Sequence, residues 1–94
     1  MGRSNMNIYL LDGKDMTSRD EAYRVIVDTM ELPMWFGNNL DALFDCLSDL
    51  SKDIAVVFVN TAIAEENLGQ YAKRILACFR EAAQECGYIF MEKR

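Results

Sequence analysis

The chain has 94 residues, of which 51% are hydrophobic and 27% are charged, so it is expected to form one small globular domain rather than two domains or a disordered segment. Its formal net charge is −5, which repels nucleic-acid phosphates, so we expect basic protein partners and no direct contact with DNA or RNA. There is no apolar run of about 20 residues and no opening signal segment, which predicts a cytoplasmic protein without a membrane partner.

The first residues divide into an expected leader and the start of a domain. Residues 1–6 have the character of an appended leader, and we expect a single domain over residues 7–94. Asn7–Asp12 (NIYLLD) is a short apolar run that ends at Gly13. This pattern predicts a buried strand followed by a turn.

The next segment carries the signals of an amphipathic helix. Ser18 and Glu21 form an S-x-x-E capping box at its start. Because Pro33 is the only proline, the helix is expected to end near Met30 or Glu31. Its predicted core face consists of Ala22, Tyr23, Ile26, Val27 and Met30.

A second helix and a central strand follow. The helix is expected to begin after Asn38 or Asn39 as N-cap and to run to about Leu50. Ile54–Asn60 (IAVVFVN) is almost entirely apolar, which is typical of a strand covered on both faces in the middle of a parallel sheet.

The last third predicts one loop, one long helix and one strand. The polar residues 61–69 predict a loop with at most one helical turn. The helix that follows is expected to close at Gly87, before a strand over Tyr88–Glu92. Its predicted core face consists of Tyr71, Ile75, Cys78, Phe79, Ala82 and Cys86. Strands separated by helices pair in parallel, so the order predicts a two-layer α/β fold with a three-stranded parallel sheet and three to four helices.

Several kinds of chemistry have no residues to support them. The chain has no histidine, which excludes Ser-His-Asp and Cys-His nucleophiles. Its isolated glycines form no phosphate-binding loop, and three cysteines without histidine do not make a structural zinc site. We therefore predict no enzyme activity, no cofactor and no metal, and we expect the cysteines to be reduced thiols.

The second helix carries a separate line of acids. Asp41, Asp45 and Asp49 recur every four residues, away from its leucine face, and Trp35 and Phe36 precede the helix. Like charges at this spacing slightly destabilise a helix. Three interpretations remain open from spacing alone: an ordinary solvated helix face, a carboxylate site for magnesium, or a surface for a cationic partner.

One long motif carries a family resemblance. The stretch LPMWFGNNLDALFDCLSDL closely resembles the signature of the barstar family, the intracellular inhibitors of barnase-type bacterial ribonucleases. YLLDG, VVFVN and FREAAQECG extend the resemblance over about residues 7–92. The resemblance implies a barstar-like fold and an antitoxin or immunity protein that blocks the active site of a basic, secreted-type ribonuclease in a 1:1 complex.

The resemblance also implies a set of contact residues. Asp45 matches the dominant acid, which occupies the phosphate-binding site of the enzyme, and Glu81 matches a further acid on the third helix. Trp35 and Phe36 stand where the family has tyrosines, and this departure bears on which nuclease is bound. The full set of implied partner contacts is Trp35, Phe36, Gly37, Asn39, Leu40, Asp41, Ala42, Phe44, Asp45 and Glu81. The alternative is an acidic interaction module that binds a basic partner other than a nuclease.

Overall fold

A computed structural model describes residues 6–33 and 38–94 of the chain. Within these ranges the chain forms three strands and four α-helices, with a 3₁₀ turn over Gly13–Asp15. In chain order the elements are β1 (Asn7–Asp12), α1 (Arg19–Met30), α2 (Leu40–Ser48), β2 (Ile54–Val59), α3 (Thr61–Leu68), α4 (Gln70–Cys86) and β3 (Ile89–Glu92).

The three strands form one all-parallel sheet in the order β1-β2-β3, which confirms the predicted fold class. Ala55 of β2 pairs with Ile8 of β1 on one side and with Ile89 of β3 on the other. The apolar strand β2 is therefore central, as its sequence predicts. Two right-handed crossovers that step in the same direction place their helices on the same face of the sheet.

The helix ends are set largely by local capping signals. Ser18 caps α1, because its Oγ accepts a hydrogen bond from the Glu21 N–H at 3.1 Å. The chain leaves α1 through Glu31, which adopts the left-handed conformation (φ 55°), two residues before Pro33. Gly87 ends α4 in the same conformation (φ 82°), as predicted.

The predicted loop over residues 61–69 is wrong, because Thr61–Leu68 forms helix α3. Only Thr61 and Ala64 are buried there, so the helix has too narrow an apolar face to produce a periodic signal. Asn60 (φ 54°) turns the chain out of β2, and Gly69 (φ 63°) separates α3 from α4. The other boundaries differ from prediction by one or two residues.

The core lies between the sheet and the helices. Its largest fully buried side chains are Tyr23, Phe58, Phe79, Leu11, Met16, Ile26, Leu43, Leu47, Ile75 and Val56. The prediction that β1 is buried is only half right, because Ile8 and Leu10 are 70% and 60% exposed. Likewise β2 has no helix over its second face in the described part of the chain, although Ala55 is buried between its neighbours.

Candidate partner-binding site

The start of α2 is held by the side chain of Asn39. Its Oδ1 accepts a hydrogen bond from the Ala42 N–H at 2.8 Å, and its backbone carbonyl accepts one from the Leu43 N–H at 2.9 Å. Such caps typically stabilise a helix by about 1 kcal/mol. Asn39, implied as a partner contact, therefore has a structural role that fixes where Asp41 lies in the first turn.

An open groove of about 530 Å³ between α2 and α4 brings together many of the implied contact residues. It is lined by Leu40, Asp41, Phe44, Asp45, Cys78 and Glu81, and we call it the acidic groove. Ala42 is half-buried and lines a neighbouring cleft instead. Trp35, Phe36 and Gly37 lie outside the described residues, so their contacts stay predictions.

The three carboxylates of the acidic groove are exposed and form no ion pair in the described part of the chain, although Arg80 is close enough to Glu81 for their charges to attract. The ion pairs within residues 6–33 and 38–94 engage Arg24, Arg80 and Arg94, and none of them involves Asp41, Asp45 or Glu81. Beside them, burial raises the pKa of the Cys78 thiol, and the negative charges of Glu81 and Asp41 raise it further. Two helices thus concentrate negative potential over one apolar floor.

Three hydrogen bonds from the C-terminal part of the chain hold α2 in place. The Tyr88 hydroxyl donates to the Leu47 carbonyl at 3.1 Å, and the Cys86 thiol donates to the Ser48 carbonyl at 3.0 Å. At the other end of α2, the Cys78 thiol makes a long contact of 3.9 Å to the Leu40 carbonyl. The first two bonds satisfy carbonyls at the C-terminal end of α2, which the helix leaves unpaired, and all three contacts fix α2 against α4 and the residue that precedes β3. The acidic groove is therefore preorganised.

A second, smaller cleft of about 330 Å³ lies on the other side of Asp45. It is lined by Met30, Glu31, Leu32, Pro33, Ala42, Asp45, Cys46, Asp49 and Leu50. Asp45 borders both depressions, so it occupies the ridge between them. Asp49 was absent from the implied contacts, although its four-residue spacing from Asp45 marks the same side of the helix.

Among residues 6–33 and 38–94, no group of three or more Cys, Asp or Glu side chains is placed to hold a metal ion. None of the helices in these ranges has both the length and the apolar character that crossing a bilayer requires. The cysteines of the described chain, Cys46, Cys78 and Cys86, are all free thiols.

Comparison with known proteins decides the family. The family model described as "Barstar (barnase inhibitor)" matches residues 6–92, which is nearly the whole chain. The chain belongs to the barstar family. A Bacillus subtilis (strain 168) protein named "Putative ribonuclease inhibitor YrdF" is 31% identical to it over 81 residues. That alignment covers 85% of this chain and 89% of the relative.

Two residues line the acidic groove although the helical periodicity of the sequence did not indicate them as contact residues. Glu81 lies on α4, far from the motif in sequence, and only the resemblance pointed to it. The fold nevertheless places it beside Asp41 and Asp45 in the acidic groove. Cys78 was predicted only as a core residue, and no signal in the sequence indicated that its side chain also lines the groove.

We predict that this barstar family member loses stability at alkaline pH. Burial is the largest cause that raises the pKa of Cys46, Cys78, Tyr23 and Tyr88 above their usual values of 9.0 for thiols and 10.0 for tyrosines. The unfolded chain releases these protons at the usual values, whereas the folded chain keeps them. The free energy of unfolding is therefore at its full value below about pH 8.5 and falls as the pH rises through about 9 to 10.

Urea denaturation at a series of pH values measures this loss. A variant with Cys46→Ala and Cys78→Ala should lose the earlier part of the decline, which begins near the thiol value, and keep the part that tyrosines cause. A free energy of unfolding that stays constant between about pH 8 and pH 10.5 would contradict the prediction.

Proposed function

We propose that this protein is a cytoplasmic inhibitor of a barnase-type ribonuclease, and that it blocks the active site of the enzyme with α2 and the loop that precedes it. The observation that carries the proposal is the acidic groove. Asp41, Asp45 and Glu81 lie together on two helices, and none of them forms an ion pair within the described residues. The family assignment and the named relative support the same role.

The mechanism follows from the chemistry of the target. A ribonuclease binds a phosphodiester, so its active site presents cationic donors. A carboxylate on a fixed helix can take the place of that phosphate, accept charge-assisted hydrogen bonds and exclude RNA. Asp45, on the ridge between two depressions, is the residue best placed to enter such a site. The role proposed is binding alone, without catalysis, cofactor or nucleic-acid contact.

We propose that the residues around Asp45 either provide apolar contact or hold α2 in position. Leu40 and Phe44 are half-buried in the groove and offer apolar contact beside the charges. We propose that Trp35, Phe36 and Gly37, which precede α2 in the sequence, extend this contact with the partner. Asn39 and Ala42 contribute by fixing the first turn of α2.

Inhibition of a purified barnase-type ribonuclease tests the proposal and gives our second prediction. Addition of the protein should abolish RNA cleavage at one chain per enzyme molecule. The association rate should fall steeply between low salt and about 0.5 M salt, since it depends on attraction between an acidic and a basic surface. Glu66→Ala is the matched control, because Glu66 is an exposed acid on α3 that does not line the acidic groove.

Two results would count against the proposal. The first is full enzyme activity in the presence of a several-fold excess of inhibitor, across a panel of barnase-type enzymes. The second is recovery, from the source cells, of basic partners that include no nuclease. That second result would instead favour the alternative of an acidic interaction module.

A further inference from the structure

The side of the sheet away from the helices is an exposed apolar surface. Strand alternation places Ile8, Leu10, Ala55, Val57, Ile89 and Met91 on it, and we call these residues the outer face. Ile8 and Leu10 are 70% and 60% exposed, and Ile89 and Met91 are 47% and 51% exposed.

Contacts of β3 establish which way this face points. Phe90 stacks on Phe79 of α4, and Glu92 pairs with Arg80 of α4 at 2.8 Å, so these alternate residues of β3 face the helices. The residues between them, Ile89 and Met91, therefore face the opposite way. The acidic groove lies in the helical layer, and the outer face lies across the sheet from it.

Such a face is unusual for a parallel sheet. All-parallel sheets are almost always covered on both faces, which is why their strands are apolar throughout. Here both crossovers lie on one side of the sheet, yet the strands also carry apolar residues on the other side. Contiguous exposed apolar surface of a few hundred Å² commonly marks an interaction site.

We propose that the outer face packs against the outer face of a second copy of this chain. The two central rows of the face carry no charge, although the chain as a whole has a net charge of −5. Two copies can therefore approach through this face with much less electrostatic repulsion than through their acidic helical surfaces. In such a dimer the same apolar patch of each copy covers that of the other, so the contact is self-complementary.

Charge at one end of the face indicates the orientation. Asp12 pairs with Val59, and Lys93 extends β3 beside Val59, since its N–H donates to the Phe58 carbonyl at 2.9 Å. A two-fold axis parallel to the strands places β1 of one copy over β3 of the other. Asp12 then faces Lys93 of the second copy, and the same pair forms twice.

The opposite end of the sheet limits the strength of this contact. Asp53 precedes β2 there and meets its own copy near the axis, but it is exposed to water, which screens the repulsion. Three strands of this length give a footprint on the order of 250 Å² per copy. Stable complexes bury about 800 Å² per partner, so the dimer is weak and reversible.

Sedimentation velocity over about 10 µM to 1 mM chain tests the proposal, and it is our third prediction. The average sedimentation coefficient should rise with concentration toward that of a dimer. Leu10→Lys should weaken association at least tenfold, and Lys is tolerated on exposed edge strands, so the fold should survive. Circular dichroism and ribonuclease inhibition serve as checks that it has.

A charge reversal tests the orientation separately. Lys93→Glu places two acids against each other and should weaken the dimer several-fold, whereas Lys73→Glu, the same change on α4, should not. A chain that stays monomeric at 1 mM, or a dimer that Leu10→Lys leaves unchanged, would overturn the proposal. Sedimentation needs no nuclease, so failure of the inhibitor role would leave this result readable.

Discussion

Asp45→Ala is expected to abolish tight inhibition while leaving the fold intact. The side chain is exposed and borders both depressions beside α2, so its removal creates no cavity in the core. In the proposed complex, however, its loss is expected to leave the cationic groups of the enzyme buried and unpaired. Removing one partner of such a pair costs about 2–5 kcal/mol, which weakens the inhibition constant by roughly 30-fold to several thousandfold.

The expected cost of about 2–5 kcal/mol is taken from other complexes. The barnase–barstar pair is itself a system in which such coupling energies have been measured, so the figure is a family value and not one derived from the geometry described above. What the geometry contributes is the ranking. Asp45, on the ridge, should matter more than Glu81, which enters the groove from α4.

Variants of matched chemistry separate charge from contact area. Asp45→Asn keeps the size of the side chain and should lose most of what Asp45→Ala loses, because the lost term is electrostatic. Glu81→Ala should act mainly on the association rate, and Glu66→Ala should act on neither. Thermal melts of all variants should stay close to that of the unchanged chain.

Two outcomes with these variants would contradict the proposed binding site. If Asp45→Ala and Glu81→Ala both inhibited the enzyme as well as the unchanged chain, the acidic groove would not be the binding site. A loss caused equally by Glu66→Ala would show that net charge, and not position, controls inhibition.

Local signals account for the parts of the fold that the sequence predicted well. The caps at Ser18 and Asn39 depend on a side chain next to the helix start, and the terminus at Gly87 depends on a residue that can adopt positive φ. All three signals are local, so a short stretch of sequence is enough to predict them. The central position of β2 followed in the same way from an uninterrupted apolar run.

Non-local packing explains what was missed. Helix α3 buries only Thr61 and Ala64, and such a narrow face depends on the neighbouring 3₁₀ turn and α4 rather than on periodicity. The exposure of Ile8 and Leu10 follows from the direction of the two crossovers, which no single strand encodes.

The candidate site likewise combines residues that local spacing identified with residues that only long-range packing brings together. Spacing alone identified Asp41 and Asp45 as one side of a helix but did not distinguish a solvated face from a magnesium site or a surface for a cationic partner. Glu81 and Cys78 reach the groove because α4 packs beside α2, a long-range contact. The family resemblance supplied Glu81 before the fold was considered. The contacts expected of Trp35 and Phe36 remain predictions.

Gly13→Ala is expected to be the most destabilising of the variants considered. A Cβ added at Gly13 would lie 2.1 Å from the carbonyl oxygen of Asn60 and 3.0 Å from the Cβ of Ala64. The first neighbour is backbone, and it cannot move freely. The Asn60 carbonyl accepts hydrogen bonds from the N–H groups of Ile63 and Ala64 at 3.1 and 3.2 Å.

Relief of this clash would disturb several connected elements. Asn60 follows β2, is the N-cap residue of α3 and donates from Nδ2 to Asp12 Oδ1 at 2.9 Å, so any displacement spreads to β1 and the first turn of α3. Overpacking of a tight site costs about 1–3 kcal/mol, and rigid backbone places this case at the upper end. For a domain of this size, a loss of about 3 kcal/mol lowers Tm by roughly 15 °C.

Gly87→Ala separates steric conflict from backbone strain. Gly87 adopts a left-handed conformation (φ 82°) but has nothing within 4 Å of an added Cβ, so alanine there should cost only about 1 kcal/mol. Urea denaturation of both variants measures the difference. A Gly13→Ala loss no larger than that of Gly87→Ala would contradict the prediction, because it would mean that the backbone at Asn60 can move away at little cost. Below its lowered Tm, Gly13→Ala should still inhibit the nuclease, because α2 and α4 form the acidic groove, and neither Gly13 nor Asn60 lines it.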